Sequence, residues 1–307
     1  MTASTDSVAT TAHRMASRAL DWLAQHHQLG ALNMESTVDM PKPDETYKPL
    51  GETALAASLM LREGVAGPGE AQTAQRLLDF AWEELREGDL LYARQLRHPM
   101  LSDPLELYAH FARAGYRHRK LDELLRHLLR LRSPRVSEVL PNRQLAVANA
   151  ARVVGLDDQR DWAALTDFTW LGATPEPWSM DWMAAYNVTH TVFHLTDWGG
   201  DRDGLPPRIQ EYLATWLPAW VETWREVGQW DLIGELLLTD NCLPEPVCGV
   251  ENWERLAAVQ HEDGMLPRDD EPLPDDPAEV YRAHHHPTVV AAAAGTIALS
   301  RALGAAA

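Results

Sequence analysis

Cysteine is nearly absent: Cys242 and Cys248 are the only two among 307 residues, too few for a disulfide framework. The N-terminus has no basic start leading into an apolar core, so the pattern points to a reducing, cytoplasmic setting. Uninterrupted apolar runs of the roughly 18 residues needed to span a bilayer are also missing. Positive charge is scarce. Lys and Arg number 27 against 45 Asp and Glu, a formal net charge of −18. Such a surface repels phosphate backbones and anionic lipid, so neither nucleic acid nor membrane is an expected partner. Alternating Val, Ile and Thr runs bounded by turn residues do not occur, which leaves little room for strands. Glycine-rich phosphate loops and a serine nucleophile elbow are lacking as well.

What is present is helix. Met15, Ala19, Trp22 and Leu23 recur at helical spacing, as do Leu77, Leu78, Ala81, Trp82 and Leu85. The 20 prolines fall between such stretches, where they end one helix or open the next. Asp103-Pro104-Leu105-Glu106 is a helix start, with Gly115 as its stop. The basic stretch 116–135 reads as a solvated helix face. Twelve tryptophans against four phenylalanines suit thick helical cores and pocket walls alike. The expected fold is all-α, an α/α toroid of about ten to twelve short helices circling a central pocket. An irregular helical globule is the alternative. Residues 1–12 read as a disordered tail and 13–307 as a single domain. The Pro-rich loop 267–278 is internal to that domain.

Candidate chemistry gathers after residue 175. His190, His194 and Asp197 stand at i, i+4 and i+7, one face of a helix, with Tyr186 bordering it. His190, oriented by Asp197, is the expected proton acceptor. Asp231 and Glu235 form a second i, i+4 pair ahead of Asp240-Asn241-Cys242. An Asp-x-Cys at a helix end offers one oxygen and one thiolate to a cation, a pairing zinc accepts. His284-His285-His286 precede Pro287, which places His286 at the cap of a final helix, where the partial positive charge of the helix end favours neutral imidazole. Trp182, Trp198, His194 and Glu176 complete the expected substrate-binding set.

Asp240, Cys242 and His286 together resemble, in order and spacing, the zinc site of the protein prenyltransferase β subunits, which are α/α toroids. Gln260-x-x-Asp263-Gly264 is similar to an element of terpenoid-cyclase-type toroids that ties helix ends together. The chain lacks the D-x-D-D motif of that chemistry. As a whole it resembles an all-helical actinobacterial family with a Tyr-x-x-Thr-His-x-x-Phe-x-x-x-Asp signature, matched here by Tyr186, Thr189, His190, Phe193 and Asp197. These resemblances imply a toroid C-terminal half with zinc as the expected cofactor at Asp240, Cys242 and His286.

The function expected is that of a small-molecule biosynthetic enzyme, transferase- or cyclase-like. It would perform a substitution or ring closure in the toroid pocket, with Glu235 and Tyr186 beside His190. A non-catalytic binding or scaffold subunit of a biosynthetic complex, and a glycoside-active toroid, are the alternatives. Besides the small-molecule substrate, a partner subunit or a second copy of the chain is the expected partner.

Overall fold

The computed structural model describes residues 2–32, 38–39 and 46–306. Among them there is no strand, and fourteen α-helices carry the fold. They are α1 (Thr2–His26), α2 (Lys48–Glu63), α3 (Pro68–Glu84), α4 (Asp89–Arg97), α5 (Asp103–Arg113), α6 (Arg119–Leu129) and α7 (Pro141–Val154). Then follow α8 (Trp162–Asp167), α9 (Trp170–Ala173), α10 (Trp182–Thr196), α11 (Pro207–Glu226), α12 (Trp230–Asn241), α13 (Val250–Val259) and α14 (Pro277–Ala306). Proline opens α2, α3, α5, α7 and α11, where its missing N–H costs nothing.

Six helices close a ring. α2 packs on α5, α5 on α7, α7 on α10, α10 on α12, α12 on α14, and α14 returns to α2. The others lie outside: α1 covers α14 and touches α13 and α3, α3 backs α2, α8 backs α7, and α11 backs α12. Inner and outer helices therefore follow one another along much of the chain. Within the ring α2, α5, α7, α10 and α12 run the same way. Their first turns, carrying Lys48, Asp103, Asn142, Trp182 and Asp231, line the open end of a central cavity, and Arg113, Asn149 and Trp198 line its floor.

Two expectations need correction. Residues 2–12 are not a tail: they are the first turns of α1, with Thr11 6% and Ala12 0% exposed against α14. Ala12 fits there because Gly295 of α14 lets the two backbones meet; a Cβ at Gly295 would stand 2.4 Å from the Ala12 carbonyl oxygen. Nor is His286 a helix cap. α14 continues through Pro287, so His284, His285 and His286 sit inside the helix. By length and composition α14 could cross a membrane, yet 67% of that window is buried in the fold, as suits the central helix of a core.

The Gln260–Gly264 turn ties helix ends, as its resemblance implied. Gln260 Nε2 donates to the carbonyls of Met15 (3.1 Å) and Gly264 (2.8 Å), joining the end of α13 to α1. Gly264 has φ +101, and a Cβ there would lie 2.0 Å from the Arg18 carbonyl oxygen. Gly264→Ala should therefore lower the unfolding free energy by on the order of 2 kcal/mol. Gly69→Ala, in the open first turn of α3 with nothing within 4 Å, should be neutral or stabilising. Urea denaturation of both variants checks the contrast; equal losses would refute it.

Candidate functional site

The ring encloses a cavity of about 640 Å³, within the range of small-molecule sites. Residues four apart on α10 stack along one face, and Trp182, Tyr186, His190, His194 and Trp198 all line it. Asp231 and Glu235 project from α12, His286 from α14 and Glu52 from α2. The expected site residues His190, Glu235 and His286 thus converge. His190 Nε2 lies 3.6 Å, and His286 Nε2 3.3 Å, from Glu235 Oε1.

Glu235 is 1% exposed, so its charge needs partners. Thr189 donates its hydroxyl to Oε2. Burial would raise its carboxyl, but His190 and His286 hold it below the usual carboxylate range. Glu52 is held likewise: burial is outweighed by His286 and His285, whose Nδ1 atoms lie 2.6 and 3.3 Å from its two oxygens. In return His286 is raised well above the ordinary imidazole value. Burial opposes its charge, but Glu52, Asp231 and Glu235 favour it more. Asp231 is the group pushed the other way, raised by burial and by the negative charge of Glu235. Its Oδ2 accepts the Tyr186 hydroxyl at 2.6 Å, and burial with that carboxylate keeps Tyr186 protonated. The Asp231 backbone N–H, unpaired in a first helical turn, donates to the Arg268 carbonyl at 3.1 Å, which fastens the Pro-rich loop over the cavity mouth.

On the opposite wall the charges are paired, Arg143 with Glu106 and Asp103 with Arg94. His194 is held neutral by burial and by His190, and His110 is pushed down to about 3 by burial and by Arg113. At the floor Asp197 does not orient His190. It shares that residue's face of α10 but stands two turns below, about 10 Å along the axis. Its carboxylate accepts from Arg113 (2.6 Å), Arg62 (3.4 Å) and Asn149 (3.3 Å), so its role is to pin α2, α5 and α7 beneath the cavity. Asp197 and Trp198 take left-handed backbone, φ 45 and 55, a conformation few residues adopt freely. Arg62 holds that turn through the Asp197 and Trp198 carbonyls (2.7 and 2.8 Å), which sets Trp198 against Phe193 in the floor.

Asp240, Cys242 and His286 do not form one site. Asp240 spends both carboxylate oxygens on the Val247 and Cys248 backbone N–H groups. Cys242 is 1% exposed, its thiol pushed up to about 12 by burial, and its Sγ lies near Gly199 beside Ile297. Ile297 is three turns beyond His286, about 16 Å along α14. Glu176 is also misplaced: it is exposed, and its carbonyl serves the turn at Ser179, outside the cavity. A different set can hold a metal. One ligand atom each from Asp231, Glu235 and His286 lie within 4.8 Å of one another. Sequence reasoning had the first two as a pair but missed Glu52, His110 and Arg113. Glu52 was visible as a lone acid in the apolar stretch 49–61.

Residues 16–296 match a family described as a domain of unknown function, DUF6895. The chain belongs to that family. No curated protein and no solved structure matches it. The DUF6895 match runs from within α1 to within α14, so it takes in all six ring helices.

Asp197 gives a pH test. Its carboxyl is lowered in the fold: burial opposes the charge, but Arg113 and Arg62 outweigh it. The stability it contributes is therefore present above the unfolded value near ~3.9 and lost as pH falls through the folded value. Asp197→Asn should cost about 3 kcal/mol at pH 7, since it strands a buried arginine. The gap to wild type should narrow as pH falls below that unfolded value. Urea melts across pH check this, and a gap constant with pH would refute the ion pair as its source.

Proposed function

We propose that the protein is a biosynthetic enzyme acting on a small molecule in the ring cavity, by substitution or ring closure at a carbon bearing a leaving group. The observation that carries this reading is the meeting of His190, Glu235 and His286 at one wall of the cavity. His190 Nε2 takes the proton of the attacking group, and the resulting imidazolium is met by Glu235, 3.6 Å away and too buried to be screened by water. The leaving group departs with its bonding electrons toward His286, where positive charge is concentrated. Trp182, Trp198 and Tyr186 supply apolar walls for the rest of the molecule. Zinc is the cofactor this reading carries with it, at His286.

Expression of the wild-type chain in cells should deplete one small molecule and accumulate another, detected by mass spectrometry of cell extracts. His190→Gln, which keeps a similar size without the basic nitrogen, should abolish the change, a loss of 10²-fold or more in rate. Identical extracts for the two chains, with one compound co-purifying unchanged on both, would replace the enzyme with a binding protein.

A further inference from the structure

Asp231, Glu235 and His286 are each held by one side-chain atom and turn another toward a shared centre, where His286 Nε2 and Glu235 Oε1 face each other in a 3.3 Å hydrogen bond. Tyr186 occupies Asp231 Oδ2, Thr189 occupies Glu235 Oε2, and Glu52 Oε1 stands 2.6 Å from His286 Nδ1. These three contacts fix the side chains in orientation, and they come from two different helices, α10 and α2. What remains is Asp231 Oδ1, Glu235 Oε1 and His286 Nε2, turned toward one another.

Asp231 Oδ1 decides what belongs between them. It is a buried oxygen on a residue 5% exposed, and among the described residues it has no hydrogen-bond donor. It is closed off from bulk solvent, and a carboxylate oxygen buried without a donor is costly unless a cation meets it. His286 Nε2 lies 3.3 Å from Glu235 Oε1 and 3.6 Å from Asp231 Oδ1, and all three atoms lie within 4.8 Å of one another, a little wider than a bound set. Neighbouring ligands around an ion with bonds of about 2.1 Å sit roughly 3.0–3.4 Å apart.

We propose that Asp231 Oδ1, Glu235 Oε1 and His286 Nε2 bind one divalent ion, zinc or another first-row transition metal. Two carboxylates balance the ion's charge, and one imidazole favours a transition metal over magnesium or calcium. Glu52 accepts a hydrogen bond from His286 Nδ1, which aims Nε2 at the centre, where an ion takes the place of the Nε2 proton. Tyr186 and Thr189 do the same service for the carboxylates. Three protein ligands leave further positions open, and these face the cavity, as in catalytic rather than structural sites. His190 stands next to the set, within reach of whatever binds at the open positions. The ion site deepens the enzyme reading by naming the ligands of its cofactor, and a test of binding alone distinguishes failure of the site from failure of that reading.

The test uses the full chain, stripped with chelator and titrated with Zn²⁺ by calorimetry and with Co²⁺ by visible absorption. One ion per chain is expected, with a Co²⁺ spectrum lacking a thiolate charge-transfer band. Asp231→Asn and Glu235→Gln should each weaken binding by more than 100-fold, and Glu52→Gln and Thr189→Val by about 10–100-fold. Cys242→Ser should change nothing. Circular dichroism reports whether each variant folds; where one does not, the wild-type stoichiometry and Co²⁺ spectrum decide. No saturable binding, a thiolate band, or affinity unmoved by Asp231→Asn and Glu235→Gln in folded protein would overturn the proposal.

Discussion

Burying the Glu235 carboxylate is the constraint on which the cavity depends. A charge 1% exposed cannot persist without opposite charge or donors close by, and α12 itself supplies neither. The partners come from α10 (Thr189, His190) and α14 (His286). His286 in turn is shared with Glu52, and so with α2. One buried charge thus commits four of the six ring helices to a fixed register. Contacts of this kind add little net stability over apolar packing, but leaving one partner alone is costly, so they select one arrangement.

The other side of the ring is pinned by a separate network. Arg113 of α5, Arg62 of α2 and Asn149 of α7 meet on Asp197 at the end of α10. That network closes the floor, while the Glu235 network organises the wall above it. The cavity between them is therefore polarised. Charge and open ligand atoms lie on the α12–α14 side. On the α5–α7 side the imidazoles of His110 and His194 stay neutral, and Arg113 is already matched by Asp197. A substrate would meet reactive groups at one end and neutral or ion-paired groups at the other. Membership of the DUF6895 family adds no activity to this picture, so the functional argument rests on the geometry.

Much of the fold was legible in the sequence because it is local. Helical spacing, proline at first turns and the absence of strand patterns all report on a few neighbouring residues. The role of the Gln260–Gly264 turn was expected only from a resemblance. The stripe on α10 was legible: spacing of four residues fixes the angle of a side chain about its own helix, and Trp182, Tyr186, His190 and His194 indeed share the cavity face. The Asp231–Glu235 pair was visible by the same rule.

Angle about one helix does not give depth along it or the identity of a neighbour. Asp197 has the angle of His190 but lies two turns deeper, where Arg113 and Arg62 wait on other helices. Asp240 follows Glu235 by five residues on α12 and turns to the 247–248 backbone instead of the cavity. Pro287 carries the local mark of a helix start, yet packing of α14 along α1, α2 and α12 keeps the helix continuous through it. Glu52, more than 130 residues before Tyr186, His190, Glu235 and His286, reaches them only because α14 closes the ring onto α2. Sequence alone determined the helices, their apolar faces and half of the site's residue types. The tertiary structure decided which side chains meet, because a buried charge is satisfied by whichever partner the ring brings within about 3–4 Å, however distant in the chain.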